Sequence, residues 1–350
     1  MLQSDPQIMQ VMYADRDNPR KSVEVLLSRH SFDLIVSDTN YDGIAQVIQN
    51  SGASRVVTNL WRQPPPDQQV GDRFLQILLA EGLIEAPAIS APHLHLTTVE
   101  QRRAQEAFEN LPRPLVFLCP DAGMRIKHWS PANFVTLGKT LQQWYGATVI
   151  VPVGSDFEQA AGIVDEIGNG AQILPRGKLR DLAAAIACAD LMVAADTGPA
   201  RIAAALNVPI ITLFGPSWHG RYGQPLPHIN LQGYPECPER NISNFTEQRC
   251  WYGVCPLEKN WQTCVEAISP TDVLAAAESF LGDRSSTEKT GLNYPLPAPL
   301  LLNKEWAKAR NILVMRLDNI GYELECLDIP PEEVVASWTG TICIAKPFDV

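Results

Sequence analysis

Apolar residues along the chain fall into short runs separated by amphipathic or polar stretches, and this alternation predicts the fold class. Lys21–His30 reads as a short helix and Phe32–Ser37 as a strand; Asn40–Ser51 predicts a helix, Arg55–Thr58 a strand, and Gly71–Glu81 a further helix. Pro64 to Pro66 interrupt the pattern and mark a loop. Thr97–Asn110 is a polar, charged helix that Pro112 and Pro114 close. A cleaner run of the same kind follows. Strands at Leu115–Cys119, Thr148–Val153, Leu191–Ala195 and Pro209–Phe214 alternate with helices at Pro131–Tyr145, Asp156–Ile167, Asp181–Ala189 and Pro199–Leu206. Strands alternating with helices imply parallel α/β sheets. The expected division is a first unit over 1–112 and a second, complete unit over 113–282. Beyond Leu281 the character changes: 283–310 is polar and then Pro-rich, an extended linker, and a fresh strand begins near Ile312 in a strand–loop fragment over 311–350.

With 350 residues, 45% of them hydrophobic, the chain is long enough for two domains and buries its cores without disulfide or metal staples. That composition excludes a disordered chain. A formal net charge of −11 argues against nucleic acid as a partner, because phosphate contact needs basic surface. It leaves room for one local basic pocket. No run approaches the roughly 18 uninterrupted apolar residues of a membrane span; Ile202–Phe214 is broken by Asn207 and Pro209. The opening residues have neither a basic nor an apolar stretch of the secretory kind, so a cytoplasmic location with reduced cysteines is expected.

Two strand-to-helix junctions carry the candidate chemistry. In the first, the apolar strand ending at Ala195 runs into Asp196-Thr197-Gly198, and Pro199 stands in the first turn of a helix, where its missing N–H costs nothing. Gly198 lets a ligand approach the backbone, and the free N–H groups of the first turn suit a phosphate. Thr197 adds a hydroxyl and Arg201, one turn in, a positive charge. The competing reading is ordinary helix capping by Asp196 or Thr197. The second junction, Cys119 to Trp129, also follows a strand, with Gly123 opening the loop and Arg125 and Lys127 placed to reach a diphosphate at the sheet edge. Its alternative is a solvated basic loop anchored by Trp129.

Together these segments resemble glycosyltransferase family 9, the heptosyltransferase family of lipopolysaccharide core assembly. The resemblance lies in Pro120-Asp121-Ala122-Gly123, Lys127 and Trp129, Leu182-Ala183, Ala189-Asp190, Asp196-Thr197-Gly198-Pro199 and Leu213-Phe214-Gly215-Pro216, in the family's order and spacing. It implies a GT-B-like fold of two Rossmann-like domains with parallel sheets. It also implies a nucleotide-diphosphate sugar donor bound by the second, with Lys127 on the donor phosphates and Asp196, Thr197 and Gly198 lining the pocket. A glycolipid or surface-glycan acceptor, peripheral contact with the inner membrane, and no resident cofactor or metal follow from the same resemblance. Asp156 or Glu158, just after a strand, is a candidate for ribose hydroxyls.

Two departures stand out. Arg201 occupies the place of the family's usual His, keeping a cationic group of different shape. The family's opening strand and its catalytic Asp are missing from the start of the chain, so the N-terminal domain is expected to be incomplete. A close counterpart appears instead at Ile312–Gly321, followed by Tyr322 where the family has Asp. Three arrangements account for it: the start of a second, lost copy; a permuted strand docking back into the N-terminal sheet; or a misassembled product. The first and third are preferred. Asp318 and Glu323 are nearby carboxylates that read as solvated loop residues. The alternative to an active transferase is therefore a nucleotide-sugar-binding remnant or subunit lacking its catalytic carboxylate.

Cys237, Cys250, Cys255 and Cys264 form a cluster with spacing C-x12-C-x4-C-x8-C. Four thiols in one loop-rich stretch admit a zinc reading, but without paired C-x-x-C knuckles reduced structural cysteines are the default. Cys119 and Cys188 read as core. His219 follows a strand end and is placed to approach a ligand; His93, His95 and His228 show no partner pattern.

Overall fold

The computed structural model describes residues 8–15, 17–38, 41–58, 60, 68–84, 93–240, 242, 250, 255–257, 264–282, 312–317 and 340–345. The predicted loop at Pro64–Pro66, the linker over 283–310, and Asp318, Tyr322 and Glu323 lie outside the described residues.

In chain order the first unit comprises β1 (Ile8–Tyr13), α1 (Pro19–Arg29), β2 (Leu34–Ser37), α2 (Ile44–Gln49), β3 (Arg55–Thr58) and α3 (Val70–Ala80). Helix α1 starts on Pro19 and buries Val23 and Leu26, one turn apart on the face that meets α2. Helix α4 (Thr98–Phe108) follows. Its start is a reciprocal cap in which Glu100 N donates to Thr97 Oγ1 at 3.3 Å and Thr97 N to Glu100 Oε2 at 2.8 Å.

The second unit runs β4 (Leu115–Cys119), α5 (Pro131–Tyr145), β5 (Thr148–Pro152), α6 (Phe157–Ile167), β6 (Gln172–Leu174), α7 (Leu179–Ile186), β7 (Leu191–Ala195), α8 (Gly198–Ala205), β8 (Ile210–Phe214), α9 (His219–Tyr222), β9 (Ile229–Gln232) and α10 (Pro270–Leu281). Strands β4, β5, β7 and β8 are buried along their whole length, as parallel strands covered on both faces must be. Their alternating side chains feed two cores. Val116, Leu118, Val193 and Leu213 pack with Trp129, Phe134, Leu137 and Val273 on one face. Phe117, Met192 and Ile210 pack with Phe108, Ile186 and Ala203 on the other. All neighbouring pairs are parallel, in the order β6-β5-β4-β7-β8-β9. The order reverses between β4 and β7, so the loops leaving those two strands part at one crevice, the usual ligand position in such sheets.

Helix α4 falls inside the first unit expected from sequence, yet Leu94, Leu96, Ala104 and Phe108 pack in the core of the second. Leu94 N also donates to Ala205 O at 2.9 Å. The prolines at 112 and 114 close a helix without dividing two cores, and the packing boundary lies before Leu94.

The largest departure concerns the end of the chain. Strand β10 (Ile312–Leu317) pairs in parallel with β2, Ile312 opposite Leu34, and β11 (Gly340–Ala345) runs antiparallel to both β10 and β1. The first sheet therefore has the order β1-β11-β10-β2-β3 and is mixed, not parallel throughout. Of the three arrangements considered for Ile312–Gly321, the structure has the docked one, against the preference for a fused or misassembled fragment. The physical reason is the exposed edge of β2: a two-stranded β2–β3 sheet leaves a row of unpaired backbone groups that β10 satisfies. Strands β1, β6, β9 and β11 and the short helix α9 were not legible as elements.

Arg180 at the start of α7 joins α4 to the second sheet. Its guanidinium donates through Nη2 to Glu100 Oε2 at 2.6 Å and to His95 O at 2.9 Å. The Arg180 hydrogen bond, working against desolvation and helped by Thr97, holds the Glu100 carboxyl down at about 2 against an ordinary 4.5. A lowered folded value stabilises the fold fully above pH 4.5, and that contribution is lost as pH falls towards 2. The urea midpoint of the wild-type chain is expected to fall through this window more steeply than that of Glu100→Gln; parallel curves would remove the assignment.

Candidate functional site

Both loops predicted from sequence meet at the reversal point. The loop after β4 is built on buried side chains at Ala122, Ile126 and Trp129. The Trp129 ring meets Phe134 edge-on at 4.9 Å, and its Nε1 donates to Ile268 O at 2.8 Å. Asp121 ties this loop to the one after β5, accepting from Ser155 N at 2.8 Å and Ser155 Oγ at 2.9 Å. Glycine is required at position 154, where a Cβ would stand 2.0 Å from Asp121 Oδ2. So anchored, the 3-10 turn Arg125–Lys127 delivers Lys127 to the end of β7.

There the central group is Asp196, whose side chain is only 7% exposed. Lys127 Nζ donates to its Oδ2 at 3.0 Å and to its main-chain O at 3.2 Å. Arg201 Nη2 reaches Oδ1 at 3.1 Å, and Ser217 Oγ donates to Oδ2 at 2.7 Å. Burial pushes this carboxyl up, but Lys127 and Arg201, with the Ser217 hydrogen bond, outweigh it and hold the group below the usual carboxylate range. Asp196 is therefore a carboxylate already committed to three donors, and the cluster keeps a net positive charge.

The capping alternative fails on geometry. Asp196 faces Lys127 and Arg201, while Thr197 Oγ1 donates back to Ala195 O at 3.2 Å, and α8 has no side-chain cap. Its first turn begins at Gly198, where a Cβ would meet nothing within 4 Å. An uncapped helix start facing open space beside two cations is suited to an anion. Arg201 also donates to Tyr222 O at 3.1 Å, fastening α9 to α8. Of the expected residues, the structure gathers Lys127, Asp196 and Arg201 into one cluster with Thr197 and Gly198 beside it. Gly123 lies exposed in the β4 loop, outside the Asp196 contacts.

Two expectations fare differently. Asp156 caps α6, accepting from Gln159 N at 2.9 Å, so its carboxylate is engaged; Glu158 is exposed on the same turn. His219 follows β8 as expected, with its ring 4.4 Å from that of Trp218 and its carbonyl accepting from Gln69 Nε2 of the first unit at 3.3 Å. Ser217 was missed. It stands one residue past the Leu213–Pro216 run, and only the fold shows its hydroxyl turned onto Asp196. Cys119 and Cys188 are buried. Cys237, Cys250, Cys255 and Cys264 line one small cavity with Ile126, Pro216 and Arg240. Among the described residues no three His, Cys, Asp or Glu side chains are arranged to hold a metal ion. His228 is buried, and desolvation pushes it down to about 4.

The doubly wound second unit, joined to a smaller mixed-sheet unit, defines a GT-B-like α/β protein. Two solved structures share that fold: a family 9 glycosyl transferase from Veillonella parvula and the ADP-heptose lipopolysaccharide heptosyltransferase II of Escherichia coli. The first superposes with a TM-score of 0.63 at 17% identity over 80% of this chain and 84% of that one. The second gives 0.56 at 20% identity over 76% and 81%. The family profile for glycosyltransferase family 9 (heptosyltransferase) matches residues 50–246, more than half of the chain, and the chain belongs to that family. Lipopolysaccharide heptosyltransferase 1 of Pseudomonas aeruginosa is 37% identical over 167 residues, 44% of each chain. The chain spans about half the length of the curated relatives it matches.

Removing the carboxylate by Asp196→Asn leaves Lys127 and Arg201 without their counter-charge, and is expected to cost about 3–5 kcal/mol of unfolding free energy. Arg201→Ala, at a side chain 49% exposed, is expected to cost no more than about 1 kcal/mol. Urea denaturation compares the two; equal losses would show that the cluster does not depend on Asp196.

Proposed function

We propose that the chain is a glycosyltransferase of the heptosyltransferase kind, whose second unit binds a nucleotide-diphosphate sugar and whose first unit faces a glycolipid or surface-glycan acceptor. The observation that carries this reading is the uncapped N-terminus of α8 beside Lys127 and Arg201, at the point where strand order reverses. Family membership supports it, and the lipopolysaccharide heptosyltransferases among the relatives make ADP-heptose the first donor to test.

In this reading the donor diphosphate sits against the first turn of α8. The C1–O bond of the sugar breaks as the acceptor oxygen attacks, and the departing diphosphate gathers negative charge. Lys127, Arg201 and the α8 N–H groups stabilise that charge without a metal ion. Asp196 keeps the two cations oriented. It is not the base, since a carboxylate accepting from Lys127, Arg201 and Ser217 has its proton affinity lowered where a base needs it raised. The acceptor proton must go to another carboxylate, contributed from the first unit or a partner chain. A nucleotide-sugar-binding subunit that relies on such a partner is the second reading, motivated by Tyr322 at the position of the family's Asp.

Among the described residues no helix is long and apolar enough to cross a membrane. On the strength of the lipopolysaccharide heptosyltransferases among its relatives, and not of that absence, the proposal puts the chain at the cytoplasmic side of the inner membrane by peripheral contact.

Calorimetric titration with ADP, UDP and GDP tests the donor site. At least one is expected to bind, and Lys127→Ala is expected to weaken it by about 10–100-fold, the range for loss of a charge-assisted hydrogen bond. A folded chain that binds none of the three would end this reading. Incubation with ADP-heptose and a heptose-deficient lipopolysaccharide then separates transferase from binding subunit.

A further inference from the structure

The two loops that meet at Asp196 rest on one buried floor. Trp129 donates to Ile268 O, and the 3-10 turn Cys264–Ala267 just ahead of it lies against the ends of β8 and β9. The approach is so close that a Cβ on Gly233 would stand 2.1 Å from Cys264 O.

From this floor two side chains grip the loop that carries Ser217. Arg240, 7% exposed, donates through Nη2 to Gly215 O and Gly233 O, both at 2.8 Å. Its Nη1 donates to Tyr234 O at 2.8 Å and Pro235 O at 3.0 Å. Among the described residues it forms no ion pair with a carboxylate, so main-chain carbonyls solvate the buried charge. Gln232 Nε2 donates to the same Gly215 O at 2.8 Å and to Phe214 O at 3.2 Å, while its Oε1 accepts from His219 N at 3.1 Å. The segment Pro216–Trp218 is thus held at both ends, at the Gly215 carbonyl and the His219 amide, and Ser217 Oγ lies between them, 2.7 Å from Asp196.

We propose that Arg240 and Gln232 are positioning residues of the donor site: by fixing the Gly215 carbonyl and the His219 amide they hold Ser217 on Asp196, and through Asp196 they aim Lys127 at the donor diphosphate. The inference rests on the donor-site reading above. Elementary chemistry explains the residue types. A buried plug needs only apolar volume, whereas a planar guanidinium presents donors in a fixed fork to two chain segments, which an ammonium does not reproduce. A side-chain amide carries both a donor and an acceptor, so Gln232 can donate to a backbone carbonyl and accept from a backbone N–H at once.

The test is a double-mutant cycle read in two ways. Gln232→Leu and Arg240→Lys are each made in the wild-type chain and in Ser217→Ala. Affinity is measured calorimetrically for whichever of ADP, UDP and GDP binds the wild type most tightly, and thermal midpoints are recorded alongside. Each variant alone is expected to lose about tenfold in affinity, and less than about twofold once Ser217 is already Ala, while the thermal shift is the same in both backgrounds. Equal affinity losses in both backgrounds, or unchanged affinity with a lowered midpoint, would overturn the positioning role and leave a structural one. Gln232→Leu keeps the test available if Arg240→Lys does not fold. A wild-type chain that binds none of the nucleotides ends the donor reading itself, and this inference with it; binding that Lys127→Ala weakens, with additive losses here, ends this inference alone.

Discussion

A buried carboxylate with two cations on it is the constraint around which the second unit is organised. Asp196 sits at the end of a fully buried strand, and a lone ionised carboxyl there would be prohibitively costly. Lys127 comes from one loop, Arg201 from the helix that follows, and Ser217 from a third segment, so satisfying Asp196 requires all three to converge. What the ion cluster stabilises is the relative placement of strand ends β4, β7 and β8. The positive charge left over and the uncapped start of α8 then face the same crevice.

The supports behind that cluster follow a consistent logic. Trp129, Arg240 and Gln232 each donate hydrogen bonds to backbone carbonyls. Carbonyls are fixed by the chain, so such bonds transmit position from a packed core to a loop. Asp121 joins the loops after β4 and β5 differently, accepting from both the amide and the hydroxyl of Ser155, with Gly154 admitting the contact. The loops that would handle a ligand are therefore held from beneath, which suits a site that must present charge in a fixed geometry.

The two units differ in how they are closed. The second sheet is built from one continuous stretch of chain, whereas the first is completed by strands from positions 312–317 and 340–345. Parallel pairing of Ile312 with Leu34 gives the edge of β2 its hydrogen-bond partners, and β11 bridges from β10 to β1. Gln69, at the start of α3, reaches across to His219 O and so touches the segment that carries Ser217.

Sequence alone determined the longer apolar elements of the second unit, because each is a contiguous run whose period shows which face is buried: the solid apolar strands Leu115–Cys119 and Leu191–Ala195, the Pro-led helices α5 and α8, and the two strand-end loops with Lys127 and Asp196. Short or polar elements escaped it. Gln172–Leu174 and Ile229–Gln232 are only partly buried, and their strand character comes from neighbours already in place. Tertiary structure decided the rest. Whether Asp196 capped a helix or gripped two cations depended on a lysine 69 residues away. Whether α4 belonged to the first core or the second depended on Arg180 and on the face Phe108 met. And whether Ile312–Leu317 was a stray fragment or an interior strand depended on an open sheet edge hundreds of residues earlier. In each case the deciding partner is distant along the chain, and local periodicity carries no information about it.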